Sequence, residues 1–240
     1  MIKSAIEKIL EISEPHITLI NGENYSDKRL TRISKDLKAE GIMIHTLSGL
    51  VDFIKNSGDV ADKTNYIVQV VSPTEVRFYS GLNSDREREE LVIAKAELPT
   101  FTFDRQINSE EFLINVQAKF VDAPGTDKAA ILRFAGTVKA GSVREYSDNG
   151  VSQTATVKRG VATLTEEVVP NPCKLAPYRT FLEVDQPISE FVFRMGGDEK
   201  SVTCGLYEAD GGRWKITARQ NVAEYLRKEL ESLKNILVLA

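Results

Sequence analysis

Arginine beside aromatic residues is the combination in this chain whose chemistry points most directly to a ligand. Tyr178, Arg179 and Phe181 fall within four positions, and Phe191, Phe193 and Arg194 begin ten residues later. A guanidinium forks hydrogen bonds onto a phosphate or carboxylate, and an aromatic ring stacks on a base. Tyr178, Arg179, Phe181 and Arg194 therefore form a candidate site for a nucleotide or single-stranded nucleic acid. The same residues have a second reading. Alternation along a strand makes Phe181, Phe191 and Phe193 core residues and pairs both arginines with Glu183, Asp185 or Glu190.

Other chemistry finds less support. Asp185, Glu190 and Lys200 supply the two acids and a lysine with which a nuclease holds a magnesium ion, although scattered acids assemble into such a trio in almost any chain. His16 and His45 are the only histidines, and neither belongs to a zinc-binding pattern. The string from Gly196 to Ser201 ends like a phosphate-binding loop but lacks its spacing. No GxSxG elbow is present. The reading is of a protein with no catalytic residues, no metal site and no cofactor. Cys173 and Cys204 form no CxxC pair, which suits two reduced thiols inside an intracellular protein; a disulfide between them is the alternative.

Composition narrows the class. A chain of 240 residues with 42% hydrophobic and 28% charged residues is long enough for a buried core and too apolar for disorder. Its net charge of -4 argues against general binding to phosphate backbones. The N-terminus lacks the apolar region of a signal peptide, and no window approaches the length of a membrane span. A cytoplasmic protein without a membrane partner is expected.

The elements that must position these residues are read from periodicity. Ile2, Ile6, Ile9 and Leu10 predict a first helix ended by Pro15, and Asn21-Gly22 predicts a hairpin turn. Thr46 caps a second helix with Leu47, Leu50, Val51 and Ile54 inward, followed by strands at 66–71 and 75–79. Asn108 opens a third helix carrying Phe112, Leu113, Val116 and Phe120. Short runs at 130–134, 151–158, 161–164, 181–184, 191–195, 202–207 and 214–217 predict seven strands, and Asn221 opens a closing helix. Together they predict an α+β fold. Its β-rich antiparallel core, a barrel or sandwich, would lie in the C-terminal half, framed by N- and C-terminal helices. One domain over 1–240 is expected, with a helix and hairpin portion at 1–125 and the β-rich portion at 126–240.

Four of the eight prolines, Pro170, Pro172, Pro177 and Pro187, lie between Glu166 and Met195 and make rigid extended corners there. The strings HTLSGLVDFIKN, VSPTEVRFYSGLNSDRERE, DNGVSQTATVKRGVA, NPCKLAPYRTFLEVDQPISEFVFRM and EADGGRWKI resemble, in that order, uncharacterised phage and prophage proteins of Gram-positive hosts. More distantly they are similar to the YfdQ-like prophage family. The resemblance runs from His45 to the C-terminus and implies a phage-encoded accessory protein acting inside the infected cell; it brings no catalytic residues. Stiff corners and short apolar strands suit a repeated protein interface, since little entropy is lost on docking. The leading expectation is a non-enzymatic protein that forms a homo-oligomer through its β-rich half. A protein that captures a nucleotide, such as a host defence signal, or single-stranded nucleic acid is the second, and a metal-dependent nuclease the third.

Overall fold

The computed structural model describes residues 2–29, 38, 40–60, 64–83, 86–140, 143–148, 153–159, 163–168, 171–197 and 201–240. The chain divides into two compact units, Met1–Ala39 and Glu40–Ala240, and the two portions expected within one domain meet inside the second.

The first unit contains α1 (Ile2–Ser13), β1 (Ile17–Ile20) and β2 (Glu23–Ser26). Lys28 Nζ donates to the carbonyls of Ile12 and Glu14, placing a cation at the end of α1 where the last carbonyls lack partners. The two strands form an antiparallel hairpin that turns at Asn21 and Gly22, both at positive φ.

The second unit begins with β3 (Ile42–Ile44), α2 (Leu47–Asn56), β4 (Tyr66–Ser72), β5 (Glu75–Tyr79), β6 (Glu90–Lys95) and β7 (Gln106–Asn108). Two helices follow, α3 (Ser109–Lys119) and α4 (Lys128–Ala140), then β8 (Val143–Asp148), β9 (Gln153–Arg159) and β10 (Thr163–Val168). It closes with β11 (Cys173–Leu175), β12 (Ser189–Gly197), β13 (Val202–Glu208), α5 (Trp214–Glu229) and β14 (Ile236–Leu239).

Three sheets result, in the orders β14-β4-β5-β6-β3, β11-β12-β13-β7 and β10-β9-β8. Among the described residues all are open, so the fold is α+β and, of the expected barrel or sandwich, the barrel is not formed. Nor are the strands confined to the C-terminal half: β3 to β6 precede residue 96 and build most of the largest sheet. That sheet is mixed, because β14 runs parallel to β4 and β3 parallel to β6. Its inward residues Val68, Phe78 and Val92 lie in one cross-strand row and pack with Leu50 and Ile54 of α2 and Val222 and Leu226 of α5. A second core lies on the four-stranded sheet, where Phe191, Phe193 and Met195 meet Phe112 and Val116 of α3 and Ile131 and Phe134 of α4.

Four expected elements change. The run at 130–134 is part of α4, whose buried Ile131, Phe134 and Ala135 keep helical spacing. The run at 214–217 opens α5, seven residues before the expected cap at Asn221; Asp210 accepts from the backbone N–H groups of Gly212 and Trp214 and fixes the earlier start. Residues 181–184 are a loop, and the last element is the strand β14.

The loop at 176–188 straps the two cores of this unit together. Gln186 Nε2 donates to the carbonyls of Thr180, Phe181 and Val184, while its Oε1 accepts from the backbone N–H groups of Arg179 and Thr180. Thr180 Oγ1 donates to the Pro73 carbonyl, and Asn221 Nδ2 donates to the Asp185 carbonyl. Glu183 Oε1 accepts from the N–H groups of Leu47, at 2.7 Å, and Ser48, at 3.2 Å, while Thr46 Oγ1 takes that of Gly49. Three donors at the N-terminus of α2 are thus satisfied, two from more than a hundred residues away.

Cys173 and Cys204 are both buried and free. Their partners on β12, Phe191 and Met195, are four residues apart. At about 3.3 Å per residue that separation exceeds the reach of a disulfide. Burial pushes both thiols up to about 12.

Two expectations follow from these contacts. Glu183→Ala should lower stability by about 1–2 kcal/mol in urea unfolding, the usual effect of losing a cap. The thiols stay protonated in the fold above the pH near 9 where unfolded cysteine ionises, so stability falls as pH rises from about 9 towards 12. Each thiol contributes on the order of 1.4 kcal/mol per pH unit in that window, and Cys173→Ala with Cys204→Ala should flatten the slope measured in urea titrations.

Candidate functional site

Arg179 is 7% exposed, and three aromatic rings enclose its guanidinium. The carbon of that group lies 4.2 Å from the ring centre of Phe103, 4.6 Å from Trp214 and 5.1 Å from Phe191. Phe103 and Phe191 stack on each other at 5.4 Å. Nη2 pairs with Glu208 Oε1 at 2.6 Å, and Nη1 has no hydrogen-bond partner among the described residues. Burial lowers the guanidinium from its ordinary value, while Glu208, Asp210 and Asp104 oppose the shift. A planar cation that is weakly hydrated suits this cage; a lysine ammonium would lose more water and stack less well.

The cage forms because five distant segments converge. The loop before β7 contributes Phe103, β12 contributes Phe191, the end of β13 contributes Glu208, the first turn of α5 contributes Trp214, and the strap contributes Arg179. Asp104, at positive φ, supplies the corner after Phe103: its N–H donates to the Leu206 carbonyl and its carboxylate accepts from the Glu208 N–H.

Beside the cage opens a cleft of about 780 Å³. Its walls include Lys174 of β11, Ser189 and Glu190 of β12, Asp210, and Arg213 and Trp214 at the start of α5. Ser189 is 3% exposed, and its hydroxyl has no hydrogen-bond partner among the described residues; the same holds for Nε1 of Trp214.

The structure does not bring the four candidate residues Tyr178, Arg179, Phe181 and Arg194 to one place. Phe181 points into the core made by α2, α5 and the five-stranded sheet, whereas Arg179 enters the cage. Arg194 lies opposite Gly205 on the face of β12 away from Phe191 and Phe193. Tyr178 is half-buried, and its N–H donates to the carbonyl of Lys119 at the end of α3. Phe181, Phe191 and Phe193 are core residues; alternation along β12 accounts for Phe191 and Phe193, while Phe181 is buried from a loop. The partner of Arg179 is Glu208, not Glu183, Asp185 or Glu190.

Among the described residues, no three His, Cys, Asp or Glu side chains are grouped to hold a metal ion. Asp185 and Glu190 join no such group, and Lys200 lies outside the described residues. No helix among the described residues is long and apolar enough to cross a membrane. Comparison of the chain with family models, curated proteins and solved structures yields no match.

Arg179→Ala should cost about 2–4 kcal/mol in urea unfolding, through lost ring contacts and a cavity. Arg179→Met should recover part of that loss by filling the cage, and Arg179→Lys less. Equal stability of the alanine variant and the native chain would refute the structural role of the cage.

Proposed function

We propose that this chain is a non-enzymatic accessory protein that self-associates, and that a phage or prophage uses it in the host cytoplasm. The phage part rests on the resemblance of the strings quoted above. The observation that carries self-association is that no described residue of the N-terminal unit is buried. Ile2, Ile6, Ile9, Leu10 and Ile12 of α1 and Ile17, Leu19 and Ile20 of the hairpin are all exposed. Isolated exposed apolar residues need no explanation, but a periodic stripe of this kind marks an interaction surface.

The occupant we favour is a second copy of the same stripe, because α1 is complementary to itself. In an antiparallel pair centred between Glu7 and Lys8, Ile6 faces Ile9 of the second copy, while Lys8 stays paired with Glu11 of its own helix. A two-fold axis repeats the apolar contact. Interfaces of ordinary size use about 20–30 residues a side, which is the span of α1 and the hairpin. The contact thereby moves from the β-rich half, where sequence suggested it, to the N-terminal unit.

The full chain at tens of micromolar should scatter light as a dimer or larger. Ile6→Asp with Ile9→Asp should give the mass of one chain with an unchanged melting temperature. A native chain that is already monomeric would contradict the proposal. So would a double variant that keeps its mass, or one that melts earlier as a monomer because the stripe packs within its own chain.

A further inference from the structure

The cleft beside Trp214 combines features that its structural neighbours leave uncommitted. Trp214 offers an aromatic ring on the cleft wall, backed by the guanidinium of Arg179 at 4.6 Å. A ring held in place by its own cation loses little freedom when another planar group stacks on it. Lys174 and Glu190 are cross-strand partners, yet neither they nor Arg213 have a side-chain ion pair among the described residues. Asp210 accepts from the N–H groups of Gly212 and Trp214 and keeps its charge, so the charged groups of the wall balance, and Lys174 and Arg213 are its two cations for an anionic group. Ser189 adds a second, independent sign: a buried hydroxyl on the wall with no partner among the described residues, a state that native proteins rarely leave unfilled.

We propose that this cleft binds a nucleoside monophosphate, with the base stacked on Trp214, the phosphate between Lys174 and Arg213, and the ribose hydroxyls donating to Glu190. The Ser189 hydroxyl completes the polar wall. Stacking on a ring tolerates every base, so discrimination between bases is expected to be weak. The site differs from the grouping of Tyr178, Arg179, Phe181 and Arg194 that the sequence suggested, and it shares no residue with the proposed self-association stripe of α1.

Trp214 is the only tryptophan in the chain, so its emission reports on this cleft alone. The full chain is titrated with AMP, GMP, CMP and UMP, with adenosine and ribose 5-phosphate as the two halves of the ligand. The expected result is saturable quenching by the monophosphates, with each half-ligand binding roughly tenfold or more weakly. Lys174→Ala with Arg213→Ala should weaken AMP binding by about tenfold or more, and Ser189→Ala by a smaller factor, with circular dichroism unchanged. Absence of saturable quenching at millimolar AMP overturns the proposal. Ribose 5-phosphate binding as tightly as AMP overturns the stacking, and undiminished AMP binding by the double variant overturns the phosphate assignment.

Discussion

The buried guanidinium of Arg179 sets the terms for the second unit. Removing a guanidinium from water is expensive unless charge and polarisable surface replace the lost hydration. Here Glu208 supplies the charge, and the rings of Phe103, Phe191 and Trp214 supply the surface. Each of those groups must be held in place for Arg179 to be tolerated, and Arg179 in turn holds them. Two residues later Phe181 enters the other core, and two residues beyond that Glu183 receives the first N–H groups of α2. The strap thus links two hydrophobic cores through neighbouring side chains, and the five hydrogen bonds of Gln186 keep its short loop from opening.

The same interaction prepares the cleft. Trp214 would be a mobile aromatic side chain on the first turn of a helix if nothing lay behind it; with the guanidinium against it, the ring becomes a fixed wall. Lys174 and Glu190 stand on adjacent strands of a sheet whose inner face packs on α3 and α4, so their backbones are equally well placed. Rigid elements therefore carry the polar groups of the cleft, which is the usual condition for selective binding of a small ligand. The N-terminal unit has the opposite character. With no core among its described residues, its ordering depends on what its apolar stripe meets.

Local signals in the sequence were legible where the deciding contacts are local. Thr46 before an amphipathic run gave α2, Asn21-Gly22 gave the first hairpin, and Asn108 gave the start of α3, because caps and turns act within a few residues. Short apolar runs were ambiguous. The stretch at 130–134 fits a strand or one face of a helix, and only packing on Phe193 and the α3 stripe decides for α4. The parallel edge strand β14 escaped notice because its partner β4 lies far back in the chain. At the site, Arg179 and the phenylalanines stood out by type, and alternation along β12 correctly buried Phe191 and Phe193. Phe103, Glu208 and Trp214 carried no signal of their own, since what joins them to Arg179 is tertiary structure. The same alternation that buried Phe193 placed Arg194 on the other face, which separates it from the cage.

Native-state hydrogen exchange on the full chain tests the strap most directly. If Arg179 couples the two cores, the amides of Val68 and Phe78 in one and of Phe193 and Leu206 in the other should open in the native chain with a common free energy. In Arg179→Ala, Phe193 and Leu206 should then lose protection before Val68 and Phe78. Cores that already open independently in the native chain would contradict the account, as would an alanine variant whose Phe193 and Leu206 amides stay as protected as before.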